Sequence, residues 1–255
     1  MTCLTLPPAR GRLPGTATVT WLIAQRAAWE SMQDRLSLLV GLFFGLLVPL
    51  GLLVVLVLPA AAPGEPGPEL SARLAANLLV VGVLPAFSAV GIAAGQFAGE
   101  KERGLLTPLL ASPASNGAIF GGKVLGAILP PLAYALLADA TYLVGAAVLL
   151  GPASVGLLSP GTTVATVLLV PAVTCFAAVV ASLISSRVRT FNAAQQLGGL
   201  VLAPVWGAVL AFATRLDEWG ALPLFGAVAI LLLLDIALIA LAAATWRREE
   251  VLAQQ

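Results

Sequence analysis

Six long, almost uncharged apolar runs dominate this sequence and limit the folds that it can adopt. They lie near residues 36–58, 74–98, 118–150, 160–184, 193–213 and 220–245. At a rise of about 1.5 Å per residue, a helix of about 20 residues matches a hydrocarbon layer about 30 Å thick. A strand of a membrane barrel would alternate apolar and polar residues, and these runs do not. The runs therefore predict an all-α integral membrane protein with six transmembrane helices.

The composition supports this class and argues against several functions. Apolar residues make up 60% of the chain and charged residues 10%, far from the mixture of a soluble domain. The net charge is +1 and His is absent, so the sequence lacks a basic field for nucleic acid, an imidazole base and the ligands of a His-rich metal site. Cys3 and Cys175 form neither a CxxC motif nor a disulfide framework. We expect no nucleic-acid partner and no metal site.

Lys and Arg residues lie mainly on one side of the predicted spans. Eleven of the 13 fall before the first run, after the last run, or in and beside the second and fourth connections. The opposite side carries only Arg73 and Arg215. Because cytosolic loops are enriched in Lys and Arg, this asymmetry predicts that both termini lie in the cytosol. We expect a multi-pass protein of a cell (inner or plasma) membrane, in a bacterium.

The N-terminal region precedes the first run and has two predicted parts. Residues 1–16 are rich in Pro and Gly and are expected to form a disordered cytosolic lead, which leaves residues 17–255 as the six-helix transmembrane domain. At 100° per residue, one arc of residues 19–36 is apolar, and its members are Trp21, Leu22, Trp29, Met32 and Leu36. This pattern predicts an amphipathic helix in the membrane interface. A cytosolic extension of the first span is the alternative.

The connection between spans two and three, "GEKERGLLTPLLASPASNGAIFGGKV" (residues 99–124), interrupts the apolar sequence with five charged residues. One interpretation is nucleotide binding, because residues 117–123 fit the spacing GxxxxGK. That motif needs Ser or Thr next, where this chain has Val124, and it needs a preceding strand. A second interpretation is that the charges merely avoid lipid and that Lys123 snorkels to anchor span three.

A third interpretation concerns the apolar residues that follow the charges. An exposed loop without a partner has little reason to present leucines to water; they are Leu105, Leu106, Leu109 and Leu110. Thr107 is suited to cap a short helix with Pro108 at its first position, and Pro113 is suited to end it. The segment is then a short apolar helix at the cytosolic membrane face, on which a soluble partner docks.

The residues of this connection resemble a known family. The series "GEKERG", "LL", "PLLASP" and "GGK" is similar to the "ERE-GTLE-LLATP-GK" signature of the type-2 permease subunits of ATP-binding cassette (ABC) exporters. The six spans, the cytosolic termini, the amphipathic N-terminal helix and "AAQQLGG" at span five add to the resemblance. By position, the resemblance implies an ATPase-coupling interface made of Glu100, Glu102, Arg103, Gly104, Leu105, Leu106, Pro108, Leu109, Leu110 and Pro113.

The resemblance implies a mechanism and a set of partners. In that family this segment is a coupling helix that sits in a groove of a separate cytosolic ATPase subunit, and two permease subunits, the same or homologous, work as a dimer. ATP and magnesium would be bound by the partner, so this chain would carry no cofactor and would not be catalytic alone. The substrate of the exporter does not follow from the sequence.

Two acids interrupt the apolar runs, Asp139 in span three and Asp235 in span six. Asp235 is about 16 Å from the end of its span, near the midplane, and Asp139 is nearer the outer side. A central Asp costs roughly 2.5–3.5 kcal/mol on insertion, so each should face the bundle interior. They are either possible residues of a translocation path or hydrogen-bonding partners of Tyr134, Tyr142 or Thr174. A self-sufficient secondary transporter or channel that uses both acids is the alternative function.

Overall fold

The computed structural model describes residues 15–61, 68–105 and 114–245, and every regular element in these ranges is helical. We label eight helices in chain order: α1 Thr16–Gln33, α2 Arg35–Ala61, α3 Pro68–Glu102, α4 Asn116–Leu150, α5 Pro160–Arg187, α6 Phe191–Ala213, α7 Leu216–Trp219 and α8 Leu222–Thr245. A 3₁₀ segment, Pro152–Leu157, joins α4 to α5. Six of the helices are long and apolar enough to cross a membrane, which confirms the six predicted spans. Residues 1–14 of the predicted lead lie outside the described ranges.

Helix α1 is a separate helix rather than an extension of α2. Asp34 between them has an extended backbone, with φ −68° and ψ 119°. Its carboxylate accepts a hydrogen bond of 2.9 Å from the backbone N–H of Ser37, which satisfies one of the free donors in the first turn of α2. This cap lets the chain change direction between the two helices.

The interior of the bundle is formed mainly by α3 and α5. Within the most apolar 18-residue stretch of each span, 67% of the stretch in α3 and 61% of that in α5 are buried, compared with 17% of that in α8. The largest cluster of buried apolar side chains joins α3, α4, α5, α6 and α8. The outward faces of α2 and α8 are apolar and exposed, as at Val55 and Leu233, and suit contact with lipid tails.

Small residues let the helices approach closely. A Cβ atom on Gly122 of α4 would lie 2.7 Å from Ile23 Cβ, and one on Gly126 would lie 2.5 Å from Ala27 Cβ, both in α1. Helix α1 therefore packs against the first turns of α4 through glycines four residues apart. The predicted apolar arc of α1 is not the face that packs, since Trp21 and Trp29 are 55% and 63% exposed.

The last two spans are joined by an ordinary turn. Helix α6 continues through Pro204 to Ala213, and the short helix α7 leads into α8. Trp219 in this turn packs edge-on against Phe212, with ring centroids 5.1 Å apart. Within these residues neither span is broken, so the Pro and Trp residues of this region do not mark a re-entrant hairpin.

Candidate functional site

The C-terminal end of α3 contains a π-helical turn, Gly95–Gly99, which is held by a serine from α5. A π turn leaves backbone groups without their normal helical partners. The Ser185 hydroxyl, completely buried, accepts a hydrogen bond of 3.0 Å from the Ala98 N–H and donates one of 3.1 Å to the Ala93 carbonyl. Ser185 thus satisfies the irregular backbone of α3 and fastens this turn to α5.

The next three residues of α3 each contact a different helix. Glu100 forms an ion pair of 2.5 Å with Lys123 of α4. Lys101 donates hydrogen bonds of 2.9 Å and 3.0 Å to the carbonyl oxygens of Ser186 and Val188, at the end of α5. Since successive helical side chains point about 100° apart, residues 100–102 can reach three neighbours only where other helices surround them.

Glu102 makes the third of these contacts, at the start of α6. Its carboxylate accepts a hydrogen bond of 3.0 Å from the backbone N–H of Phe191. A carboxylate at a helix N-terminus and an ammonium group at a helix C-terminus both complement the helix dipole, each contributing about 0.3–1 kcal/mol at exposed ends. Glu102 and Lys101 therefore match the polarity of the helix ends that they contact. We call Glu100, Lys101, Glu102 and Lys123 together the charged clamp.

Lys123 is turned inward, contrary to the snorkelling interpretation. Only 3% of its surface is exposed, and its Nζ donates to the Gln96 carbonyl oxygen at 2.6 Å as well as to Glu100. The ammonium group also lies 5.5 Å from the centre of the Phe97 ring, within range of a cation–π interaction. The sequence carried no signal for this pairing, because 23 positions separate the two charges.

The same segment also contacts α1. The side-chain amide of Gln96, in the π-helical turn of α3, donates long hydrogen bonds of 3.4 Å to the Ala27 carbonyl and 3.3 Å to the Ser31 hydroxyl. Together with the charged clamp, this brings α1, α4, α5 and α6 into contact with the last two turns of α3. Most of the Lys and Arg residues predicted to be cytosolic belong to segments that meet at this end of the bundle.

Beyond the charged clamp, α3 ends in a Schellman motif. Gly104 has φ +69°, a conformation that favours glycine, and its N–H donates to the Lys101 carbonyl at 3.1 Å. The Leu105 N–H donates to the Glu100 carbonyl at 2.9 Å, and the Leu105 residue is 58% exposed. The remaining predicted interface residues, Leu106, Pro108, Leu109, Leu110 and Pro113, lie outside the described residues, as does the coupling helix predicted there.

The nucleotide-binding interpretation of residues 117–123 does not fit the structure. These residues lie within the regular helix α4, which begins at Asn116 with the Ser115 hydroxyl accepting from the Ala118 N–H at 3.2 Å. A phosphate-binding loop needs several backbone N–H groups turned around the phosphate, ahead of the helix. The lysine of this motif is instead paired with Glu100.

Asp139 of α4 lies at the junction of α3, α4 and α5. Asp139 is 6% exposed. A Cβ atom added to Gly82 of α3 would lie 2.5 Å from the Asp139 Oδ1 and 2.6 Å from a methyl group of Val170 in α5. Neither carboxyl oxygen has a hydrogen-bond partner among the described residues. The residues expected to bond the acids do not do so here. Tyr142 donates to the Leu74 carbonyl, and Thr174 donates to the Val170 carbonyl. The Tyr134 hydroxyl has no hydrogen-bond partner in the described ranges.

Asp235 of α8 is buried in a similar way. It is 5% exposed, and within the part of the chain that the structure describes its carboxyl oxygens have no hydrogen-bond partner. Both acids therefore face the bundle interior, as expected from the cost of a carboxyl group in lipid.

No protein-family model matches the chain, and no curated protein is significantly similar to it.

Proposed function

We propose that this protein is the membrane-spanning permease subunit of an ATP-driven ABC exporter. A separate cytosolic ATPase subunit would bind ATP and magnesium and carry out hydrolysis, and two permease subunits, the same or homologous, would enclose the transport path. In this proposal both termini are cytosolic, α1 lies in the membrane interface with Trp21 and Trp29 towards lipid, and the protein resides in a bacterial cell membrane.

One structural observation supports the proposal most directly. Helix α3 ends at the Schellman motif around Gly104, and α4 begins only at Asn116. The exposed Leu105 follows directly after Glu100, Lys101 and Glu102, which contact three other helices. A partner bound to the connection would therefore act on a firmly held part of the bundle. This geometry suits the coupling role implied by the sequence resemblance.

Two measurements test the proposal: which proteins copurify with the chain, and whether the reconstituted complex hydrolyses ATP. The chain is expressed with an affinity tag in its source cells, and proteins that remain bound after detergent extraction are identified by mass spectrometry. We expect an ATPase subunit with a complete phosphate-binding loop, and ATP hydrolysis by the complex in proteoliposomes. The variant Leu109→Asp/Leu110→Asp should lose both, because it places charges on the docking surface.

The matched control is Leu109→Met/Leu110→Met, which changes the same positions and keeps them apolar. We expect this variant to retain the ATPase. The proposal is wrong if no such subunit copurifies with the wild-type chain, or if the Asp variant retains the ATPase as well as the Met variant does.

The alternative function, a self-sufficient secondary transporter or channel, is favoured by a different observation. Asp139 and Asp235 both face the bundle interior, and neither carboxyl group has a hydrogen-bond partner in the described residues. Acids within membrane spans commonly mark ion or substrate pathways. This alternative predicts proton or sodium flux into ATP-free proteoliposomes under an imposed membrane potential. The flux should then be lost in Asp139→Asn and Asp235→Asn. Flux without ATP in the wild type would favour it over the exporter.

A further inference from the structure

Helix α3 has two neighbouring features near its C-terminal end, an irregular π-helical turn and a charged end fastened to other helices. The π-helical turn, Gly95–Gly99, begins and ends with glycine, and π-helical turns occur frequently where helices serve a function. The charged clamp follows within one residue of this turn. Its ion pair joins α3 to α4, while Lys101 and Glu102 join α3 to the facing ends of α5 and α6.

The burial of Lys123 indicates a role other than simple stabilisation. The Glu100 side chain is 25% exposed, so the desolvation falls mainly on Lys123. The lost hydration of a buried charge offsets much of the attraction within an ion pair. Two apolar residues of similar volume often serve a packed interior as well or better. The pair does supply a specific geometry, because the Lys123 ammonium group can satisfy Glu100 and the Gln96 carbonyl only when α3 and α4 keep one register.

We propose that Glu100 and Lys123 are positioning residues that make the charged ends of α3 and α4 move as one body. A displacement applied to the connection between these helices then reaches α5 and α6 through Lys101 and Glu102. Without the pair, the same displacement bends α3 at its π-helical turn and is lost there. This inference rests on the proposed function only for the source of the displacement, the ATPase.

The first test needs no partner. Hydrogen–deuterium exchange is measured by mass spectrometry on the full chain in lipid nanodiscs. In the double variant Glu100→Gln/Lys123→Met, which leaves no unpaired charge, we expect exchange in residues 93–102 to rise at least tenfold. Exchange in residues 127–135 of α4 should remain as in the wild type, which shows that the variant is folded. Unchanged exchange in residues 93–102 would overturn the inference.

The chain offers a matched control for this test. Arg215 and Glu218 form an ion pair of 3.1 Å whose side chains are 58% and 56% exposed, on the connection between α6 and α8. The variant Arg215→Met/Glu218→Gln likewise removes one positive and one negative side chain, here from an exposed position. It should leave exchange in residues 93–102 unchanged. A rise equal to that of the clamp variant would show a general loss of stability and would also overturn the inference.

The second test uses the complex with the copurifying ATPase. Spin labels are placed at Gly117→Cys on α4 and Asn192→Cys on α6, both exposed positions, with Cys3 and Cys175 replaced by Ser. With the wild-type clamp we expect the distance between the labels to stay constant when ATP is added with vanadate. In Lys123→Met, which removes the ion pair and leaves every residue of the predicted ATPase-coupling interface unchanged, the ATPase should still bind, and the distance should change on ATP addition. Equal behaviour of the two proteins would contradict the positioning role.

The two tests separate this inference from the proposed function. If no ATPase copurifies, the proposed function fails, and the exchange experiment still decides whether the ion pair holds α3. If the ATPase copurifies and the double variant keeps wild-type exchange, the proposed function stands and the positioning role is wrong.

Discussion

At the scale of single residues, buried polar groups in this chain fall into two kinds. Ser185 and Lys123 are fully engaged, and each satisfies backbone or charge on another helix. Asp139 and Asp235 have no hydrogen-bond partner for their carboxyl groups within the described ranges. Ser185 and Lys123 both lie at the end of the bundle that carries the charged clamp. A substitution should therefore have different effects on the two kinds of residue.

The serines of α5 provide a test of this difference. Ser185→Ala leaves the Ala98 N–H and the Ala93 carbonyl without their partner and should lower the free energy of unfolding by about 1–2 kcal/mol. Ser182 is equally buried, and its hydroxyl has no hydrogen-bond partner among the described residues. Ser182→Ala should be neutral or slightly stabilising. Unfolding in dodecyl sulfate, followed by tryptophan fluorescence, measures both, and equal losses would refute the role given to Ser185.

At the scale of elements, α1 shows how a pattern in the sequence identified a helix but not its packing. Its apolar arc around Trp21 and Trp29 predicted a helix with one lipid-facing side, and the structure contains that helix. The side that contacts the protein is marked by Ala24 and Ala28, both buried. Small side chains carry little hydrophobic signal, although they permit the closest approach between helices.

Two adjacent glycines of α4 test this packing. Gly122→Ala would bring its new methyl group within 2.8 Å of the Thr20 carbonyl oxygen, a backbone atom that cannot turn aside. We expect α1 to be displaced and the chain to lose about 1–3 kcal/mol of stability. At Gly121 the new Cβ would meet Thr20 Cγ2 at an ordinary 3.7 Å, so Gly121→Ala should be tolerated. Limited proteolysis between α1 and α2 reports the difference, which should be absent if α1 is only loosely attached.

At the scale of the whole molecule, the bundle has an end that is rich in charge and an opposite end that is poor in it. The charged end collects α1, the end of α3, the start of α4 and the junction of α5 with α6. The opposite end carries Arg73 and Arg215, both exposed and paired with nearby Glu residues. The distribution of Lys and Arg predicts that the charged end is cytosolic.

Cysteine labelling tests this orientation in intact cells. In a chain whose own cysteines are replaced by Ser, Arg215→Cys should react with a membrane-impermeant maleimide added outside. Leu105→Cys, 58% exposed at the other end, should react only after the membrane is opened. The reverse labelling pattern would contradict the predicted orientation, together with the cytosolic position of the charged clamp.

The sequence by itself determined the membrane class, the six spans and their limits to within several residues, because a span depends on the hydropathy of consecutive residues. Only the tertiary structure decided which charges pair, since the contacts of Glu100, Lys101 and Glu102 join residues 23, 85 and 89 positions apart. Such contacts depend on how helices pack in three dimensions. Local patterns along one helix do not contain that information. The five charged residues in one connection therefore predicted a solvated loop or a docking site rather than a clamp with two buried lysines.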